Sequence, residues 1–232
     1  MRLLLLSNST NYGGTFLGHA NDLLSAFLGK DVDRIVFIPY AAVRFSFDDF
    51  AAKVAERLNP LGYEVDSIHR AQDPRAAVDA AGAVVVGGGN TFQLLARLYQ
   101  ERLLGPIVKR VRGGAPFVGW SAGSNLACPT IKTTNDMPII EPPSFLALGL
   151  VPFQINPHFT DAGIPNHGGE TRSERLTEFV AANPGVPVIG LREGSSLRVD
   201  GGRTTLLGDQ PAIVFRSGAD PIEVPPGEVK LG

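Results

Sequence analysis

Pro116-Phe117-Val118-Gly119-Trp120-Ser121-Ala122-Gly123 joins a short apolar run to a serine flanked by glycines. The run has the composition of a buried strand, and the glycines permit a tight turn out of it. A strand that ends in such a turn holds a serine hydroxyl at its tip, and the small neighbours keep side-chain bulk away from it. Taken alone, the G-x-S-x-G pattern reads either as a nucleophile elbow or as an ordinary tight βα turn. The flanking segments decide between the two.

Before the elbow, strands are predicted at Arg2–Ser7, Arg34–Pro39, Tyr63–Ile68 and Ala83–Val86. Helical patterns separate them. Ala20–Leu28 carries Leu23, Leu24, Phe27 and Leu28 on one face. Ser46 is a candidate N-cap, with Asp48 and Asp49 in the first turn of a helix that runs to about Leu58, where Pro60 and Gly62 end it. A short helix follows Asp73-Pro74, and Thr91–Tyr99 and Leu104–Arg112 are helical. Apolar strands alternating with helices imply an α/β fold, a mostly parallel sheet sandwiched by helices. After about residue 185 the texture changes to short strands at Val186–Leu191, Ser196–Val199, Thr204–Leu207 and Ala212–Phe215. Asp200-Gly201-Gly202-Arg203 between two of them is a hairpin signal. The expectation is a mixed sheet with antiparallel strands at the C-terminal end, and a loose tail from Pro225 to Gly232.

With 232 residues, 44% of them hydrophobic, the chain suits a single domain spanning 1–232. A net charge of −2 without a basic cluster argues against a nucleic-acid partner. The leucine run Leu3–Leu6 stops at Ser7, too short for a signal or a membrane span, so no membrane partner is expected. The single cysteine, Cys128, excludes an internal disulfide, agrees with a cytoplasmic location, and reads as a small core residue. Nothing in the sequence decides between a monomer and a homodimer.

A serine nucleophile needs a base, an orienting group and an oxyanion hole. Of the four histidines, His19 and His69 read as surface or structural residues. His158 follows the apolar run Leu150–Ile155, so it is expected at a strand end, on the rim that lines the crevice of an open α/β sheet and carries Ser121. His167 reads as a loop residue that touches substrate. Glu193, after Val188–Arg192, is the candidate orienting acid; the alternative is a solvated turn residue paired with Arg192. Gly87-Gly88-Gly89-Asn90-Thr91 joins a strand to a helix. It reads either as an oxyanion-binding turn whose amide pairs with that of Ala122, or as a phosphate loop, although Phe92 stands where G-x-G-x-x-G has its third glycine. The order Ser121, His158, Glu193 differs from the serine, acid, histidine order of α/β-hydrolases.

With these pieces in place the chain resembles the S51 serine peptidases. The matching segments are Gly87–Phe92, Gly119–Gly123, Asn156-Pro157-His158-Phe159 and Gly169-Glu170-Thr171-Arg172. The resemblance implies a fold akin to class I glutamine amidotransferases, in which a cysteine occupies the elbow position. It implies Ser121 as nucleophile, His158 as base, Glu193 as the third triad member, and the amides of Gly88 and Ala122 as the oxyanion hole. It implies cleavage of dipeptides with an N-terminal aspartate, without metal or organic cofactor. A small acidic substrate calls for a cation, and arginine grips a carboxylate with two parallel hydrogen bonds. Arg172 is the first candidate and Arg44 the second; the alternative for Arg172 is a helix first turn with the guanidinium in solvent or on Glu174. Asn90 is assigned to a polar group of the substrate and Glu170 to its ammonium. Competing expectations are a cyanophycinase-like hydrolase of aspartate–arginine polymer, an esterase, a nucleotide-binding module, and a non-catalytic small-molecule binding protein on the same fold.

Overall fold

Leu3, Leu4, Leu5 and Leu6 are all buried, because alternate leucines face opposite layers of the molecule. Leu3 and Leu5 join one core cluster, and Leu4 and Leu6 another. The computed structural model describes residues 1–163 and 168–231. In chain order the strands are β1 (Arg2–Leu6), β2 (Arg34–Ile38), β3 (Glu64–Ser67), β4 (Ala83–Val86), β5 (Phe117–Trp120), β6 (Gln154–Phe159), β7 (Val188–Arg192), β8 (Ser196–Asp200), β9 (Arg203–Leu207), β10 (Ala212–Arg216), β11 (Ala219–Val224) and β12 (Gly227–Glu228). The helices are α1 (Asn21–Leu28), α2 (Phe47–Leu58), α3 (Pro74–Ala80), α4 (Thr91–Gln100), α5 (Leu104–Arg112), α6 (Ala122–Leu126) and α7 (Arg172–Ala182).

An eight-stranded sheet has the order β12-β9-β8-β1-β5-β4-β2-β3. From β1 to β3 its neighbours are parallel, and β8, β9 and β12 continue it antiparallel. The α/β architecture with a mostly parallel sheet between helices is therefore as the sequence predicts. One layer holds Leu24, Phe27, Val54 and Leu58 from α1 and α2. The other holds Leu94, Leu98, Ile107 and Val111 from α4 and α5.

Two expectations need correction. The C-terminal strands do not all extend one sheet: β11-β10-β7-β6 form a second, four-stranded sheet. It packs Ile155, Ile189, Leu191 and Val214 onto the same cluster as Leu3 and Leu5. Short apolar strands such as Val188–Arg192 carry no mark of which sheet they join. The tail is also tied down. Gly227 and Glu228 pair with Leu206 and Thr205, and the Val229 N–H donates to the Thr204 carbonyl at 2.9 Å. The exposed edge of β9 offers free backbone groups, and the tail satisfies them.

Cys128 is buried, as expected of a core residue, and burial pushes its thiol up to about 12. No helix among the described residues is long and apolar enough to cross a membrane.

Candidate active site

The central strand β5 delivers Ser121 into the turn before α6. Its backbone has φ 52 and ψ −114, a conformation that a residue with a side chain adopts only when its surroundings enforce it. The Ser121 N–H donates to the Leu6 carbonyl of β1 at 3.1 Å. The Ser124 hydroxyl bonds the carbonyls of Leu6 (2.7 Å) and Gly119 (2.9 Å), locking the first turn of α6 onto β1 and β5. The flanking glycines are steric requirements. A Cβ on Gly119 would lie 2.5 Å from the Gly123 carbonyl group, and one on Gly123 would lie 2.2 Å from the Val86 oxygen.

His158 comes from the second sheet, as the penultimate residue of β6, close to the end of the strand and at an irregularity in its pairing. Pro157 pairs with Leu191 and Phe159 with Arg192, leaving His158 unmatched. Pro157 has no N–H, and the His158 N–H donates to the Ser7 hydroxyl at 2.9 Å instead of to β7. The Ser7 hydroxyl in turn donates to the Leu191 carbonyl at 2.7 Å. His158 is thereby held at φ 54 with its ring turned out of the strand toward the elbow.

Its Nε2 lies 2.9 Å from Ser121 Oγ, and its Nδ1 lies 2.6 Å from Glu193 Oε1. With the proton on Nδ1, the ring donates to the carboxylate and Nε2 accepts the serine O–H. Glu193 sits in the turn between β7 and β8, where the Gly194 N–H donates to Asn8 Oδ1 at 2.9 Å. The alternative pairing with Arg192 does not occur. That guanidinium bonds Asp161, Glu223 and the Pro211 carbonyl.

Two cavities meet at Ser121 and His158. The smaller, about 160 Å³, is also lined by Ala122, Asp136 and Arg172. Arg172 is the first residue of α7, half-buried, and donates to the His158 carbonyl. It does not pair with Glu174, whose carboxylate accepts the Thr171 N–H in a capping box at 2.6 Å. Burial, then the nearby Arg175, lowers the Arg172 pKa, and Glu193 acts in the opposite sense. The larger cavity, about 530 Å³, is lined by Gly88, Gly89, Trp120 and a set of phenylalanines. A Cβ on Gly88 would lie 3.0 Å from Ser121 Cβ, so the backbone approaches the serine closely there. Among the described residues neither the Gly88 nor the Ala122 N–H donates to a backbone carbonyl.

Other sequence candidates lie elsewhere. Asn90 caps α4, accepting the Gln93 N–H at 3.0 Å and donating to the Met137 carbonyl at 2.9 Å, and lines neither cavity. Glu170 is exposed, 3.8 Å from Arg175, and lines neither cavity. Arg44 is exposed and also lines neither. His69 bridges Ser67 and Asp48. His167 lies outside the described residues.

Sequence reasoning missed Asp136 and Ser7. Asp136 Oδ2 accepts the Thr91 N–H (2.7 Å), the Thr91 hydroxyl (2.5 Å) and the Thr134 hydroxyl (3.1 Å). The segment that carries it is fixed to β6 by Asn156 Nδ2, which donates to the Thr133 carbonyl and to Asn135 Oδ1, each at 2.8 Å. The available signal was the polar run Thr133-Thr134-Asn135-Asp136 beside an apolar, proline-rich loop.

The fold agrees with comparison to known proteins. The family model described as Peptidase family S51 matches residues 3–207, and the chain belongs to that family. It is a peptidase, a hydrolase of peptide bonds. It is similar to proteins named Peptidase E: 52% identical over 228 residues to one from Streptomyces coelicolor, covering 98% of this chain and 92% of the relative. Against one from Nostoc sp. it is 50% identical over 225 residues, covering 97% and 93%. The crystal structure of a peptidase from an acI-B1 Actinobacterium has the same fold, with a TM-score of 0.67 at 17% identity over 99% of this chain and 96% of that one.

Proposed function

We propose that this chain hydrolyses dipeptides with an N-terminal aspartate, with Ser121 as nucleophile, His158 as general base and Glu193 as the group that orients it. The observation that carries the reading is His158 bridging Ser121 and Glu193 beside a small cavity walled by a cation and a carboxylate. Arg172 binds the aspartate β-carboxylate there, and the α-ammonium is received by Asp136.

His158 Nε2 takes the Ser121 proton as Oγ attacks the aspartyl carbonyl carbon. The oxyanion forms against the amides of Gly88 and Ala122, donors that need no reorganisation as charge develops. The C–N bond then breaks, and Nε2 returns the proton to the leaving amine. Water attacks the aspartyl ester with His158 again as base, releasing aspartate and freeing the serine. Glu193 stabilises the imidazolium in both halves. The reading needs neither metal nor organic cofactor.

Arg172→Met tests the assignment. The wild type is expected to prefer Asp-Leu over Asn-Leu by about a hundredfold in kcat/KM, the scale of a charged hydrogen-bonded pair lost. The variant is expected to lose most of that preference. Arg172 also holds the His158 backbone, so the ratio between substrates is the decisive readout, because a purely structural defect lowers both rates together. A variant that keeps the wild-type ratio removes Arg172 from the aspartate site.

A further inference from the structure

The proposed reaction fills the small polar cavity with the aspartyl half of the substrate. The larger cavity, which also reaches Ser121, has different walls. Phe16, Phe45, Phe50 and Trp120 form an aromatic pocket, which Gly88 and Gly89 also line. The rings lock one another edge-on: Phe16 to Trp120 at 6.0 Å, Phe45 to Phe50 at 5.1 Å, and Phe50 to Trp120 at 6.3 Å. Phe45 is 48% exposed, although it sits against a buried phenylalanine. A rigid aromatic wall open to solvent beside a nucleophile gains by covering itself with an apolar ligand group.

Lys53 stands on the same cavity, with Nζ 4.5 Å from the Phe16 ring centre. It makes no ion pair among the described residues. The other charged lining residue, Asp49, accepts the Ser46 hydroxyl at 2.7 Å in the N-cap of α2. The cavity thus offers apolar surface together with one unpaired cation.

Resting on the proposed dipeptidase reading, we infer that this cavity is the subsite for the leaving residue. Its aromatic wall takes a large apolar side chain, and Lys53 binds the free carboxylate at the end of the dipeptide. The direction follows from the chemistry. An acyl carbon on Ser121 has its acyl chain on one side and its leaving nitrogen on the other, and the acidic acyl chain belongs beside Arg172. The leaving residue then points into the aromatic cavity. His158 lines both cavities and so reaches the nitrogen it must protonate. Lys53 on this subsite also explains why cleavage would be confined to short substrates. A peptide continuing beyond the second residue has no carboxylate to offer there.

The test measures kcat/KM for Asp-Phe, Asp-Phe-amide and Asp-Gly with the wild type, Lys53→Met and Phe45→Ala. Methionine keeps an apolar stem over Phe16 and removes the charge. In the wild type Asp-Phe is expected to exceed its amide by about tenfold, carried by KM, and Lys53→Met is expected to bring that ratio close to one. Asp-Phe is expected to exceed Asp-Gly by a similar factor, and Phe45→Ala to narrow that gap. A free-to-amide ratio unchanged in Lys53→Met overturns the carboxylate anchor. Equal cleavage of Asp-Gly and Asp-Phe by the wild type overturns the aromatic subsite. A wild type that cleaves Asp-Gly but not Asp-Phe also overturns the aromatic subsite, and one that cleaves none of the three removes the dipeptidase reading, and this subsite falls with it.

Discussion

Ser121→Ala is expected to lower kcat for dipeptide hydrolysis by about 10⁴-fold or more while the protein stays folded. The serine hydroxyl contributes nothing to the fold that alanine removes: its hydrogen bond is to His158 Nε2. The bond that fixes the elbow runs from the Ser121 N–H to the Leu6 carbonyl, and alanine retains it. The cost of holding a side chain at φ 52 is the same for both residues because each carries a Cβ. In the proposed mechanism, however, the missing oxygen is the atom that forms the ester, and neither His158 nor the two amides replaces it. Thermal unfolding checks the fold, and released amino acid checks the rate. Turnover within tenfold of the wild type would sink the assignment of the nucleophile.

Gly123→Ala should act in the opposite way, on the fold before the chemistry. The new methyl would sit 2.2 Å from the Val86 oxygen and 2.9 Å from its carbonyl carbon. Both neighbours are backbone of a central strand, so no rotamer change relieves the clash, and α6 must move off β4. Overpacking of this kind costs about 3 kcal/mol. The same shift carries Ser121 away from His158, so activity falls as well. Gly168→Ala is the matched control. It is exposed, with nothing within 4 Å of an added Cβ and no positive φ, and is expected to change stability by less than about 0.5 kcal/mol. Equal losses in the urea unfolding midpoint for both variants would contradict the steric account.

The elbow and the parallel layers were legible in the sequence because they rest on local rules. Leu3–Leu6 and Ala83–Val86 are apolar throughout because they are buried on both faces, and Gly119 and Gly123 mark where α6 meets β5 and β4. His158 and Glu193 were identifiable as residues close to strand ends. What escaped depends on partners distant in sequence. The bulge that turns His158 outward is set by Ser7, 151 residues earlier in the chain. Asp136 reaches the site through Thr91 and Thr134, and no local periodicity reports that contact. The strand β11 begins Ala-Asp-Pro, which has low strand propensity, and it forms by pairing with β10. Asn90 illustrates the opposite limit. Its position at a glycine-rich turn suggested a ligand contact, but both ends of its side chain serve the fold.

The most direct measurement offers the wild-type protein Asp-Leu, Asn-Leu, Glu-Leu, Ala-Leu and N-acetyl-Asp-Leu in parallel and follows the released amino acids. The roles proposed for Arg172 and Asp136 on the walls of one small cavity require both a β-carboxylate and a free ammonium, so rapid cleavage is expected of Asp-Leu alone. Cleavage of N-acetyl-Asp-Leu or Ala-Leu at a rate comparable with Asp-Leu would contradict the account, as would no cleavage of any of the five.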